Sequence, residues 1–455
     1  MWVLQTAHSE EWLCYSTKNM GALDLRLWHP FTQEGVDPAP LVARAARGVF
    51  IETQDGRQIL DAISSWWVNI HGHAHPAIAA AVAEQAAKLE HVLFAGFSHE
   101  PAEELAMRLG KVIPAPLRHV FFSDDGSTAV EVALKLALQY WKNCGRTKKT
   151  RIVALQDAYH GDTVGAMSVS DDSPFTAAFD PLRIPVLRTH AASCAHCPVG
   201  LTRATCHIEC LNKLELLLAE QGDEIAAVIV EPLLQGAGGM IVHPEEFLAG
   251  VRRLTEANDV LLIADEVLTG FGRTGRMFAC ERAGVIPDLM CVAKGLTGGF
   301  LPMAATFATD RVHDAFLGSD RMRAFFHGHS YTANPIACAA ANASLRIFED
   351  EPVFERLGAI ERVHKERLPA FAANPGVLDV RYIGTVAAIE LKVPDAGYLS
   401  SLRPRLYQYF LGRGVLLRPL GNVVYILPPY VITPEQVHFV YDVIRDALAT
   451  IGNAS

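Results

Sequence analysis

Apolar residues in this chain follow two rhythms, and the change between them divides the sequence. Unbroken apolar runs at 226–230 (AAVIV), 261–264 (LLIA) and 289–293 (LMCVA) lack polar alternation, the habit of strands buried on both faces of a parallel sheet. The second runs into Asp265 and the third into Lys294. Helical patterning predicts helices over 76–89, 101–109, 129–141, 244–258 and 336–348, interleaved with such strands. Repeated strand-to-helix crossovers predict an α/β fold, a mostly parallel central sheet with helices on both faces, spanning 76–347. A hairpin precedes it, 49–53 and 58–62, with Asp55-Gly56 in its turn. Beyond 348 the pattern becomes a hairpin at 377–392, a helix at 404–413, strands at 415–419 and 423–427, and a last helix at 434–451. These predict a small α+β lobe made from both chain ends. The expected division is 1–75 (N-terminal segment and hairpin), 76–347 (large domain) and 348–455 (C-terminal small domain). Residues 1–21 show no period and read as a leader, with Met20 an alternative start to Met1.

Sheets of this kind bind ligands at the carboxyl ends of their strands, where Asp265 and Lys294 stand. An amine and a carboxylate held at neighbouring strand ends point to pyridoxal 5'-phosphate. Lysine is then its Schiff-base partner and aspartate the partner of its ring nitrogen. The strand 119–123, the turn Asp124-Asp125-Gly126-Ser127-Thr128 and the helix after it offer backbone N–H groups to a phosphate. Gly126 permits close approach and Ser127 can donate, although the same residues suit a plain helix cap. Tyr159, just past the strand 151–155, can stack on a flat ring. Trp66 and Trp67, if on a strand, would face opposite ways, so only one of them would line a given pocket. Arg418, at a strand end, offers its fork to a carboxylate if it faces the cleft between lobes.

Composition narrows the class. At 455 residues, half hydrophobic and a fifth charged, the chain is a folded globular protein too long for one core. A net charge of −10 without a basic run argues against nucleic acid as the main partner. No apolar stretch is long enough to span a membrane, and the first residues lack the pattern of a signal peptide. Nine cysteines, an odd number, favour free thiols in a reducing cytoplasm. Cys194-x-x-Cys197, Cys206 and Cys210, with His196 and His207 among them, could hold zinc. The looser spacing of the last two favours an ordinary thiol-bearing loop, and no metal is assigned.

The motifs Trp28-His29-Pro30, Ser64-Ser65-Trp66-Trp67, Asp125-Gly126-Ser127 and Tyr159-His160-Gly161-Asp162-Thr163 are followed by Ile263-Ala264-Asp265-Glu266-Val267 and Thr269-Gly270-Phe271-Gly272-Arg273-Thr274-Gly275. Lys294-Gly295, His327-Gly328 and Arg418-Pro419 complete the series. In this order the chain resembles the class III, fold-type I, pyridoxal-phosphate-dependent aminotransferases. Within them it is most similar to the branch that transaminates 8-amino-7-oxononanoate to 7,8-diaminononanoate in biotin biosynthesis. The resemblance implies that Lys294 holds the cofactor and shuttles a proton, Asp265 holds the ring nitrogen and Tyr159 covers the ring. It gives the phosphate to Gly126 and Ser127, with His329 and Ser330 reaching it from the other subunit of a homodimer. Phe31, Trp66, Gly328 and Arg418 would contact substrate, Trp66 walling the alkyl chain and Arg418 taking a carboxylate. Asp162 and Arg273 also match active-site positions of the family. Phe31 stands where the family has tyrosine, and His329-Ser330 where Pro-Thr is common; both choices occur in relatives that take the amino group from lysine. The expected donor is S-adenosyl-L-methionine, with lysine the alternative. The nearest other reading is a class III aminotransferase for ω-amines or diamines. A more distant one is a metal-binding regulatory protein centred on the cysteines.

Overall fold

The computed structural model describes residues 27–452; the leader at 1–21 and the choice between Met1 and Met20 lie outside the described residues. The chain forms two compact units, Met1–Val42 and Ala43–Ser455. In the first, residues 27–42 are irregular apart from short turns at 30–31 and 34–36, and Phe31 is exposed and in the left-handed region at φ 53°.

The second unit is built on a seven-stranded sheet. Across it the order is His119–Ser123, Ala304–Ala308, Leu289–Val292, Leu261–Asp265, Ile225–Val230, Arg151–Leu155 and Leu187–Thr189. Leu261–Asp265 pairs in parallel with both neighbours, setting Asp265 opposite Cys291 and Ala264 opposite Val230. Ala304–Ala308 is antiparallel to both strands beside it. Along the central strand Leu261 and Ile263 enter one buried cluster, with the helix Gly126–Asn143, while Leu262 and Ala264 enter the other. Strand side chains alternate between faces, so a sheet covered on both sides leaves no position for a polar residue until the strand ends. Each fully buried Leu or Ile contributes about 1.5–3 kcal/mol, which holds the strand-end charges on a rigid base.

The early hairpin forms as expected, Phe50–Thr53 with Gln58–Asp61, and Val415–Leu416 adds to it in parallel. Val377–Ile383, Val386–Leu391 and Val423–Ile426 make an antiparallel sheet. The helix Val353–Ala372 is an element the sequence reading did not mark; Pro369 lies inside it, where proline ordinarily signals a break. The two tryptophans are on no strand. Ser64–Trp67 is a kinked helical turn with Ser64, Ser65 and Trp67 at positive φ. Buried Asp61 holds it, accepting from the Ile63 and Ser65 N–H groups at 3.1 and 2.6 Å. Pattern reading misses such a turn because its backbone is set by one buried carboxylate rather than by periodicity.

Candidate active site

Asp265 ends the central strand, and Lys294 lies two residues past the end of the strand beside it. Parallel pairing therefore puts both on one edge of the sheet. The Asp265 carboxylate is buried and has two partners. Its Oδ2 is 2.6 Å from His160 Nδ1, and its Oδ1 accepts from the Val267 N–H at 3.1 Å. His160 is itself buried, and its Nε2 has no hydrogen-bond partner. The Lys294 amine lies 5.3 Å from the centre of the Trp67 ring. Burial draws this amine below the usual lysine range, against the pull of the Asp265 and Glu231 carboxylates. A lowered pKa leaves more of this amine in the neutral free-base form, the form that acts as nucleophile and base.

Glu231 is the main residue that the sequence reading passed over. It follows Ile225–Val230, whose Val230 is paired with Ala264, so its carboxylate stands beside Asp265. It accepts from the Tyr159 N–H at 3.0 Å and the Gly236 N–H at 2.9 Å. Burial pushes its carboxyl up to about 7; His160 opposes the rise and Asp265 adds to it. The available signal was a charge ending an apolar run, the signal that singled out Asp265. His160 stood inside a quoted motif without a role, and its bond to Asp265 gives it one.

The helix Gly126–Asn143 begins with a capping box: Asp125 accepts from Thr128 N at 2.9 Å and its own N–H donates to Thr128 Oγ1 at 3.1 Å. The Gly126 and Ser127 N–H groups have no intrahelical acceptor and sit at the positive end of an 18-residue helix. A Cβ on Gly126 would stand 2.5 Å from Val267 Cγ1, so the helix start meets the Asp265 loop closely only as glycine. Gly161, at φ 129°, is likewise glycine by necessity, because a Cβ there would collide with Ser127 Oγ. Ser127 Oγ lies 2.7 Å from Thr163 Oγ1 and accepts from Thr163 N at 3.0 Å. The half-buried Tyr159 ring meets Phe175 at 5.9 Å, and Phe175 meets Tyr398 at 4.5 Å, which continues the aromatic wall outward. Burial first, then Asp162, raises the Tyr159 phenol well above its usual range, so it remains a neutral donor.

Both tryptophans reach the site region, on different levels. Trp67 is buried under Lys294 and donates from Nε1 to Tyr425 Oη at 2.9 Å. Trp66 is 46% exposed, and the Arg418 guanidinium carbon stands 4.7 Å from its ring centre. Arg273 is fully buried and anchors this turn, donating to Trp67 O at 3.1 Å and Pro428 O at 2.7 Å. Gly328 and Ser330 are exposed on their loop. His329 Nε2 lies 3.7 Å from Asp124 Oδ1, beside the turn that starts the Gly126 helix. Phe31 belongs to the other compact unit.

The class-III aminotransferase family matches residues 31–448, and the chain belongs to that family. It is 48% identical over 429 residues, 93% of this chain and 99% of the relative, to the adenosylmethionine-8-amino-7-oxononanoate aminotransferase of Synechococcus elongatus. The crystal structure of the enzyme of that name from Methanocaldococcus jannaschii superposes with a TM-score of 0.87 at 36% identity, covering 93% of this chain and 97% of the other. A PLP-bound amine transaminase from an uncultivated Pseudomonas species gives 0.88 at 31% identity, covering 94% and 99%. The expected fold class and enzyme class are thus borne out.

Pyridoxal 5'-phosphate is the cofactor of this class, and the residues present fit it. The edge carries a readily deprotonated lysine, a buried carboxylate steadied by histidine, and a helix start that closes only with glycine. His160 Nε2 adds a buried polar atom with no protein partner.

Proposed function

We propose that this enzyme transfers an amino group to 8-amino-7-oxononanoate, giving 7,8-diaminononanoate in biotin biosynthesis, with S-adenosyl-L-methionine as donor. The observation that carries this reading is the Arg418 guanidinium set against the Trp66 ring at the mouth of the site. A nonanoate has a carboxylate on an apolar chain, and this pair offers a charged fork next to an apolar wall. The names of the relatives support both substrate and donor.

Bound at this edge, the cofactor supplies an electron-poor pyridinium ring that accepts the electron pair released at the substrate carbon. Lys294 would hold it, and its Nζ would take and return the proton at that carbon. Asp265, held by His160, keeps a proton on the ring nitrogen. The Gly126 and Ser127 N–H groups would hold the phosphate, and Tyr159 would cover the ring and limit water. His329 and Ser330 reach the phosphate from the other subunit of a homodimer, and Gly328 contacts the substrate through its backbone. Exposed Met322, Phe326 and Tyr331 on the same stretch support such an interface. The eight described cysteines, all free, suit a reducing cytoplasm.

Steady-state assay of the purified enzyme with each donor tests the reading. Diaminononanoate formation with S-adenosylmethionine supports it, and turnover with lysine alone would replace the donor. Several structural neighbours are described as amine or omega transaminases, so simple ω-amines belong in the panel. Their efficient use, without reaction of the oxononanoate, would overturn the substrate assignment.

A further inference from the structure

Behind Ser127, at the phosphate end of the site, stands a second layer of polar groups. The short helix Val164–Val169 starts at Thr163, whose hydroxyl does not cap it. A threonine at that position ordinarily turns its oxygen back onto the N–H groups of the first turn. Here Glu131, on the helix Gly126–Asn143, takes that place. Its Oε1 accepts from the Gly165 N–H at 2.6 Å and from the Ala166 N–H at 3.1 Å. The approach is close enough that a Cβ on Gly165 would collide with Glu131 Oε2.

Thr163 Oγ1 is thereby released from capping, and it donates to the same Glu131 oxygen at 2.7 Å. A hydroxyl has one hydrogen, so across the 2.7 Å contact between the two hydroxyls Ser127 is the donor and Thr163 the acceptor. The Thr163 N–H in turn donates to Ser127 Oγ at 3.0 Å. Ser127 Oγ is thus held at two points, and its single hydrogen faces an oxygen already bonded to Glu131. Rotation about the Cβ–Oγ bond passes that hydrogen to a phosphate oxygen while Thr163 and Glu131 keep their places. Without the carboxylate, the Thr163 hydroxyl would turn back to cap its own helix or donate into Ser127. Ser127 would then lose its fixed direction.

We propose that Glu131 and Thr163 are positioning residues for the cofactor phosphate. Glu131 fixes the Thr163 hydroxyl and the turn that carries the Thr163 N–H, and these aim the Ser127 hydroxyl at the phosphate. The proposal rests on the reading of Ser127 as a phosphate-holding residue. Both residues act through Ser127 and not on the reacting carbon, so they govern how tightly the phosphate end is gripped. A carboxylate that only steadied the Val164–Val169 helix would affect every ligand of the site alike.

The test compares pyridoxal 5'-phosphate with pyridoxal, which lacks only the phosphate. The full-length holoenzyme is stripped of cofactor and each compound is titrated back. In Glu131→Ala the affinity for pyridoxal 5'-phosphate should fall about 10–100-fold, with that for pyridoxal little changed. Glu131→Gln keeps an oxygen for the donors from Thr163, Gly165 and Ala166 and should recover most of the loss. Thr163→Val deletes the hydroxyl and keeps the N–H, so it should cost about 3–10-fold for the phosphate compound alone, and Thr163→Ser should restore it. Phosphorus NMR of the variant holoenzymes should show the cofactor resonance moved from its wild-type position. If Glu131→Ala does not fold, the Thr163 pair decides. Equal losses for both compounds, or unchanged affinity for pyridoxal 5'-phosphate in the variants that fold, would overturn the proposal. Ser127→Ala separates it from the reading beneath it. An unchanged affinity there removes Ser127 from the phosphate, and the proposal with it. A loss there, without one in the Glu131 and Thr163 variants, overturns the positioning role alone.

Discussion

On the floor of the site Asp265 and Glu231 are 4% and 5% exposed, and protein groups engage all their carboxylate oxygens. At the rim Trp66 is 46% exposed and its ring meets the Arg418 guanidinium. The two levels meet at one dipeptide: Trp67 lies buried under Lys294 while Trp66 looks outward. Removing one partner from a buried charge pair leaves the other uncompensated, at a cost of several kcal/mol. Exposed pairs are screened and are typically worth less than about 1 kcal/mol. The floor should therefore act nearly all-or-none on turnover, and the rim should tune which substrate is held.

The floor is broken most completely by Lys294→Ala. Turnover should fall by at least about 10⁴-fold, since both anchoring and proton transfer are lost. Borohydride should then leave no pyridoxyl group fixed to the chain. Activity within tenfold of wild type would move the catalytic amine elsewhere. Asp265→Asn keeps the shape and removes the charge, so kcat should fall about 10²–10³-fold with KM little changed. A change confined to KM would make Asp265 a rim residue in function.

Glu231→Gln probes the floor through stability. The folded carboxyl titrates at about 7, against a usual value of 4.5. Between those values the folded chain holds a proton that the unfolded chain has released. The corresponding stability is fully present below about pH 4.5 and is lost as pH rises through about 7. At about 1.36 kcal/mol per unit, the loss approaches about 3 kcal/mol. Glutamine does not titrate, so urea unfolding at pH 5 and pH 8 should show a smaller decline in the variant. Equal declines would place the titration of Glu231 outside this window.

The floor was also the more legible level from sequence. Asp265 and Lys294 stand out because strands buried on both faces admit no charge before their ends, and a covered parallel sheet binds at those ends. Gly126 was legible for a related reason, as the glycine of a strand-to-helix turn. Glu231 obeyed the same rule and lacked only a reason for choosing it. That reason is its place beside Asp265, a product of strand order rather than of any single segment. The rim was harder to read. Trp66 and Trp67 are turned to different levels by a kinked turn in which Ser64, Ser65 and Trp67 take positive φ, and the contact between Trp66 and Arg418 spans most of the chain. The helix Val353–Ala372 was hidden by Pro369, whose lost N–H bond is offset by packing of Leu357, Ile360, Val363 and Leu368 in the core.

Rim variants test the other half of the comparison, with smaller effects. Arg418→Ala should reduce kcat/KM for the oxononanoate about 10–100-fold, the value of a charge-assisted bond to a carboxylate, with kcat nearly unchanged. A substrate lacking the carboxylate should be insensitive to the change; equal loss for both would remove Arg418 from substrate binding. The smallest effect separates what Trp66 does for Arg418 from what it does for the substrate chain. A ring under a partly exposed guanidinium contributes about 0.5–1 kcal/mol, so Trp66→Leu, which keeps an apolar wall, should cost only a few-fold. Combined with Arg418→Ala, it closes a double-mutant cycle in kcat/KM. A coupling of about 0.5–1 kcal/mol means that the ring works by aiming the guanidinium. A coupling near zero, with Trp66→Leu still costly alone, means that the ring meets the alkyl chain directly and that the two rim residues act independently.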